Sequence, residues 1–350
     1  MGASRKAISF MQDMINRQFY LASRPDAAPT PEEVPFRDVP LREPEQGEVV
    51  IRNMYISLDP AIRGWMSDVS NYIEPIGIGE PIRSSVIGRV VKSNSDQLSE
   101  GDVVLAVGAW ERYTTAQAAA MTRLDEAAGI PLSSFLGILG PTGLTAYFGL
   151  LDVGKPQAGE TVLVSAAAGA VGSTVGQIAK LKGCRVVGIA GSDDKCAWIT
   201  EELGFDDAIN YKTCGDLEAA IKGACPQGVD IYFDNVGGDI LDAALMCMNK
   251  HARIAVCGWI STYNEADAPG PRNLWQMVAK SLTVQGFVVL DYVDRFTEGV
   301  EQLAGWLMAG KLQYREEIVD DLDNILPTFL KLFDGSNQGK LITRIPEESV

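Results

Sequence analysis

The feature that most restricts the fold of this chain is a regular alternation of short apolar runs and helical patterns between Thr161 and Leu290. It opens with Thr161-Val162-Leu163-Val164-Ser165 and continues into a helical pattern with apolar residues at Val171, Val175, Ile178 and Ala179, ending at Gly183. Strand candidates follow at Arg185–Ile189, Asp207–Tyr211, Asp230–Asp234, Arg253–Cys257 and Leu282–Leu290. Helical patterns at Asp194–Leu203, Leu217–Ala224, Ile240–Met248 and Asn273–Lys280 separate them. Strands joined through helices of this length run parallel, because each crossover returns the chain to the same end and lays a helix over the sheet. Buried on both faces, such strands read as continuous apolar runs. Six of them in this rhythm predict a doubly wound, Rossmann-type parallel sheet.

The first part of the chain has a different texture. Glu48–Ile56, Ser85–Val91 and Asp102–Val107 are strand candidates separated by Gly, Pro, Asp and Asn, the pattern of an antiparallel, barrel-like domain. The Pro-rich tracts Arg24–Pro44 and Glu74–Pro81 read as connecting loops. After Asp294 come an amphipathic helix at Phe296–Met308, a helical segment near Asn324–Phe333 and a strand near Lys340–Ile345 that can return to the first domain. The expected division is therefore 1–140 with 316–350, and 141–315. A length of 350 residues suits two domains.

A formal charge of −16 repels phosphate backbones and anionic lipid, so neither nucleic acid nor a membrane surface is an expected partner. No apolar run is long enough to span a bilayer. The leader Met1–Asp13 carries Arg5 and Lys6 but lacks the apolar core of a secretory signal, which makes the cytoplasm the expected location. Six cysteines lie singly in the second half and read as reduced thiols. The one histidine, His251, stands in the turn Asn249-Lys250-His251-Ala252 and reads as a solvated loop residue. The first half offers neither His nor Cys, so no catalytic zinc site is expected.

Between the first strand and helix stands Ser165-Ala166-Ala167-Ala168-Gly169-Ala170-Val171-Gly172, a variant of the glycine fingerprint with Ala166 in the first glycine's place. Small residues there let the backbone turn tightly and approach a pyrophosphate, whose charge is stabilised by the helix-terminal N–H groups. A sheet that reads NAD usually ends its second strand in an acid that binds the ribose 2′-hydroxyl. Here that strand ends Ile189-Ala190-Gly191-Ser192, and Lys195 follows, a combination that suits a 2′-phosphate. A solvated lysine at a helix start is the other reading of Lys195.

Together these motifs resemble one family. Ala166–Gly183 (AAAGAVGSTVGQIAKLKG), Asn210-Tyr211-Lys212, Tyr232–Gly238 (YFDNVGG), Arg253–Tyr263, and Gly335–Lys340 (GSNQGK) are similar to the leukotriene B4 dehydrogenase and prostaglandin reductase group. The bacterial curcumin reductases and plant alkenal double-bond reductases belong with it, within the zinc-independent medium-chain dehydrogenases/reductases. Arg17–Pro25 and Leu144–Gly154 carry the resemblance into the first half.

The resemblance implies a GroES-like antiparallel β-barrel domain beside the Rossmann-type domain, a homodimer, NADPH/NADP+, and reduction of the carbon–carbon double bond of a small enone or enal. It places Gly169, Ala170, Val171 and Gly172 at the pyrophosphate, Ser192, Lys195 and Tyr211 at the 2′-phosphate, and Asn235 and Cys257 along the cofactor. Thr145, Phe287, Val288 and Val289 fall near the nicotinamide, Asn337 at the rim, Tyr55 and Tyr72 against substrate, and Tyr263 at the polar step. Members commonly read DPYMRGRM where this chain has DPAIRGWM (Asp59–Met66), and Met-Pro-Gly at Pro141-Thr142-Gly143; these departures touch the substrate pocket.

Hydride comes from such a cofactor, and the protein supplies geometry and charge stabilisation. A tyrosine phenol is neutral at pH 7, so Tyr263 can donate to an oxygen that gains charge as an enolate forms. Tyr263 packing at a strand end, and Arg63 in an internal ion pair rather than at an acidic substrate, are the alternative readings. Quinone reduction, oxidation of an allylic alcohol, and non-catalytic nucleotide binding remain rival activities.

Overall fold

The apolar runs from Thr161 to Gly286 form one six-stranded parallel sheet. The computed structural model describes residues 14–69 and 71–346; the leader Met1–Asp13, read above for a secretory signal, lies outside the described residues. Across the sheet the strands stand in the order Asp207–Asn210, Arg185–Ala190, Thr161–Val164, Val229–Asp234, Met248–Val256, Thr283–Gly286. Numbered along the chain, that is 3-2-1-4-5-6. The chain winds outward from the centre, then reverses beside its first strand, which opens a crevice at the carboxyl ends of the first and fourth strands. Val162, Leu163, Val164, Ile231, Tyr232 and Phe233 are fully buried there, hence their unbroken apolar runs.

Several expectations need correction. The helix expected over Asp194–Leu203 is a single α-helical stretch, Asp193–Ala197, that widens into π geometry over Trp198–Glu202. The strand expected over Leu282–Leu290 holds only at Thr283–Gly286. Its ladder stops because the partner strand ends at Val256, opposite Gly286. Phe287 then turns inward, its ring 6.0 Å from that of Phe233, and Val289–Arg295 coils as a 3-10 helix. The turn around His251 interrupts a strand, Met248–Val256, instead of preceding one. His251 takes φ +64° there, with its side chain exposed and its N–H donating to Lys280 O at 2.7 Å. The tract Arg24–Pro44 contains a strand, Phe36–Pro40, paired with Ile15–Phe19. Its residues are exposed or half-buried, so no apolar pattern marks it.

Contacts divide the described residues into two units. One holds the residues up to Leu136, with Glu317–Asp334 and Leu341 onward; the other holds Gly137–Glu316 with Gly335–Lys340. The first is built on a sheet ordered Glu316–Asp320, Lys340–Arg344, Glu48–Leu58, Arg83–Ser93, Val103–Ala109, Thr122–Leu124, with Tyr113–Gln117 also paired to Glu48–Leu58. Ile51, Ile56, Val86 and Leu341 fill its interior, and helix Ile325–Asp334 sets Phe329 edge-on to Trp110 at 5.2 Å. Arg63 is buried there and donates to the carbonyls of Ala27 (3.1 Å) and Pro25 (2.8 Å), pinning the segment that precedes strand Phe36–Pro40.

Candidate functional site

In the second unit, residues expected at the cofactor follow the last residue of each parallel strand. Gly169, Ala170, Val171 and Gly172 come after Val164 and the turn Ser165–Ala168; Ser192 and Lys195 follow Ala190; Tyr211 follows Asn210; Asn235 follows Asp234; Cys257 follows Val256; and Phe287, Val288 and Val289 follow Gly286. Parallel pairing brings all six ends to one edge of the sheet.

The first turn is held from both sides. Ser165 N–H donates to Phe233 O at 3.2 Å and Ala167 N–H to Ile189 O at 3.0 Å. Ala166 takes φ +47°, the left-handed conformation that a glycine adopts without cost and an alanine at about 1 kcal/mol. Gly169 caps helix Ala170–Leu181, and its N–H donates to Ala166 O at 2.9 Å. A Cβ on Gly172 would lie 2.4 Å from Ala166 O and 2.9 Å from Ala167 Cα, so the helix meets the turn this closely only with glycine there. Gly169, Ala170 and Val171 remain half-exposed. Main-chain N–H groups in the first turn of a helix have no intrahelical partner, and they favour an anion. The cradle fits a pyrophosphate. Thr145 sits on helix Pro141–Phe148, which packs on Ala170–Leu181, and its hydroxyl donates to Pro141 O at 2.7 Å.

At the second strand's end, Ser192 caps the next helix and accepts the Lys195 N–H at 3.3 Å. The Lys195 ammonium donates to Gly335 O at 2.7 Å. Gly339 forms a bridge to Gly169, and Asn337 Nδ2 donates to Gly339 O at 3.2 Å. One segment, Gly335–Lys340, thus ties Lys195 to the phosphate turn, a link that sequence spacing does not reveal. Tyr211 is exposed, with its ring beside Gly191.

A buried hub joins the fourth and fifth strands. Asp234 Oδ1 accepts from Tyr232 Oη (2.8 Å), Gly237 N (2.9 Å), Val236 N (3.1 Å) and Ser165 Oγ (3.3 Å), while Oδ2 accepts from Trp259 Nε1 (3.1 Å). Burial pushes this carboxyl above its usual range, and the donors offset that only in part. Asn235 crosses the crevice: its N–H donates to Ser165 Oγ at 2.9 Å and its Nδ2 to Ser165 O at 2.7 Å. Asp234 lies in the YFDNVGG stretch, where an acid closing an otherwise apolar strand is the feature of the sequence that marks it.

The loop that carries Tyr263 is laced to this hub. Cys257 N and Gly258 N donate to Asp234 O at 2.8 and 3.2 Å, Ile260 N to Asn235 O at 3.3 Å, and Ser261 N to Val236 O at 3.2 Å. Tyr263 closes the 3-10 turn Ile260–Thr262. Its hydroxyl lies over Gly258, where a Cβ would come within 2.8 Å of it. Burial pushes the Cys257 thiol up to about 12, so it stays protonated at neutral pH.

Tyr55 and Tyr72 belong to the first unit. Tyr55 is half-buried against Ile87, Val103 and Leu124 and stands opposite Arg344 across the strand pair. Tyr72 is half exposed at 50%. No group of three or more His, Cys, Asp or Glu among the described residues could hold a metal ion.

Known proteins place this geometry. Residues 17–124 match the family model described as the N-terminal domain of oxidoreductase, and residues 170–305 the one described as zinc-binding dehydrogenase. The NADPH-dependent curcumin reductase of Escherichia coli is 43% identical over 95% of this chain and 98% of its own length. The NADP-dependent 2-alkenal reductase of Nicotiana tabacum is 38% identical over 96% of this chain and 99% of its own. The crystal structure of CurA from Vibrio vulnificus in complex with NADPH superposes with a TM-score of 0.89 at 41% identity, covering 95% of this chain and 100% of that one. With a parallel dinucleotide-type sheet and relatives matched along nearly their whole length, the chain belongs to the medium-chain dehydrogenase/reductase family.

Proposed function

We propose that this protein is an NADPH-dependent reductase of the carbon–carbon double bond of α,β-unsaturated ketones and aldehydes. The observation that carries the reading is the lacing of the Tyr263 loop to Asn235 and Val236, which supports a role for its phenol at the nucleotide crevice. The relatives named for curcumin and alkenal reduction support the substrate class. Gly169–Gly172 would hold the pyrophosphate, Lys195, Ser192 and Tyr211 the 2′-phosphate, and Asn235, Cys257 and Phe287–Val289 the remainder of the cofactor, with Thr145 and Asn337 at its margins.

When bound, the reduced nicotinamide supplies hydride to the β-carbon of the substrate. Tyr263 would donate a hydrogen bond, or its proton, from its hydroxyl to the carbonyl oxygen as the enolate forms; the enol or enolate then takes a proton at the α-carbon, and solvent restores the proton of the phenol. The interlocked hub around Asp234 keeps that donor in place. Tyr55 and Tyr72 would contact substrate.

An NADPH-consumption screen across enals, enones, small quinones and a bulky dienone, with products identified, tests the reading. Saturated ketone or aldehyde products, with faster turnover of enones than of quinones, are expected. Turnover confined to quinones would replace the reading with quinone reduction.

The same proposal includes a homodimer acting in the cytoplasm. Strand Thr283–Gly286 is the sheet's edge and is exposed throughout, and Trp275, Val278, Leu290 and Val293 stand exposed nearby in sequence. An uncovered apolar edge of this kind invites pairing, and a two-fold axis closes it. Sedimentation velocity should give a mass near twice 37.7 kDa. A monomer at every concentration would refute the assembly.

A further inference from the structure

We propose that Lys212 is a second cation of the 2′-phosphate site and a determinant of the preference for NADPH over NADH; the assignment rests on the NADPH reading above. Strands Arg185–Ala190 and Asp207–Asn210 are neighbours in the sheet, with Ala190 opposite Asn210. Their continuations, Gly191-Ser192 and Tyr211-Lys212, therefore leave the sheet side by side. The place where an NAD-reading acid would project is Gly191, and its missing side chain is what the neighbours use. A Cβ built on Gly191 would lie 3.2 Å from Tyr211 Cε1, 3.4 Å from Tyr211 Oη and 3.4 Å from Lys212 Cε. Lys212 thus extends over the end of the second strand, with its ammonium 6.0 Å from the Tyr211 ring centre.

Charge requires such a group. Asp193 and Asp194 open the helix that follows Ser192, and both are exposed. Asp193 is engaged by Asn210 Nδ2 at 2.7 Å, which keeps its carboxylate at this strand end. Against two carboxylates, Lys195 alone leaves the rim negative, in a chain whose net charge is already −16. A phosphate monoester brings roughly −1.5 to −2 more at neutral pH. With Lys212 the rim is balanced before the phosphate arrives, and two ammonium groups meet it. Lys195 stands at the same rim, its ammonium donating to Gly335 O. Lys212 is exposed, and Lys212→Arg, which keeps the charge, separates loss of the phosphate contact from loss of its contacts within the fold.

The probe is 2′,5′-ADP, which carries the 2′-phosphate without a nicotinamide, against 5′-AMP, which lacks it. Calorimetric titration of the unmodified protein, Lys212→Ala, Lys212→Arg and Lys195→Ala separates the contributions. Lys212→Ala should bind 2′,5′-ADP about tenfold more weakly with 5′-AMP unchanged, the size expected for one charge-assisted contact. Its affinity for 2′,5′-ADP should also depend less steeply on salt, Lys212→Arg should recover most of the loss, and KM should rise for NADPH but not for NADH. Discrimination between the two nucleotides that survives in full in Lys212→Ala overturns the assignment alone. Equal affinity of the unmodified protein for both nucleotides overturns the NADPH reading, and the assignment with it.

Discussion

Tyr263→Phe should lower kcat on an enone about a hundredfold, a loss of about 3 kcal/mol of transition-state stabilisation, with little change in substrate or NADPH binding. The hydroxyl matters to the reading because it is the part of Tyr263 that lies over Gly258, on a loop bonded to Asn235 and Val236. Phenylalanine keeps the ring and therefore its packing. If packing were the main role, the melting temperature would move by roughly a degree or two and kcat would hold. A variant with nearly full kcat would return Tyr263 to a structural part and pass protonation to water or a ribose hydroxyl. Single-turnover and steady-state rates on one enone, with binding measured separately, distinguish these outcomes.

Asp234→Ala should cost on the order of 4 kcal/mol of stability, because it strands several buried donors that converge on one carboxylate. The damage should reach the site as well, since Trp259 and the Val236–Gly237 turn set the loop that carries Tyr263. Asp234→Asn should cost less, about 1–2 kcal/mol: one oxygen still accepts from Gly237 and Val236, but the new amide faces the Trp259 N–H donor to donor. The carboxyl's pKa is raised on folding from the ordinary 3.8, so the folded state holds its proton more tightly than the unfolded chain. Its stabilisation is then full below that value and is lost as pH rises through the raised one. The stability gap between the unmodified protein and Asp234→Asn should therefore narrow as pH is raised from about 4 through the raised value. Urea unfolding of both proteins across that range measures it; a penalty for Asp234→Ala below about 1 kcal/mol would show that water satisfies the stranded donors.

Burial and local propensity act over a few residues, and these are what the sequence by itself determined. Thr161–Val164 and Val229–Asp234 are legible because strands covered on both faces carry runs such as Val162–Val164 and Ile231–Phe233 that are apolar on every residue. Helix Phe296–Met308 is legible at both ends because one face is buried and the other solvated. The small residues of Ser165–Gly172 declare a tight turn because a Cβ at Gly172 has nowhere to go. Even the missing acid at Gly191 could be read, since the choice between a 2′-hydroxyl and a 2′-phosphate is made by one residue's charge.

Only the tertiary structure decided what depends on partners far apart in the chain. Thr283–Gly286 stops as a strand where Val256 stops, and nothing inside Leu282–Leu290 encodes the length of its neighbour. Asp234 collects donors from both sides of the crevice because the chain reverses its winding there; its own surroundings in sequence show an acid at a strand end and no more. Lys212 reaches over Gly191 because strand pairing sets Asn210 beside Ala190, and Lys195 reaches Gly335 across 140 residues. Hydrogen-bond ladders and buried charges are satisfied in three dimensions, so the site's positioning groups become visible only when the strand order is known.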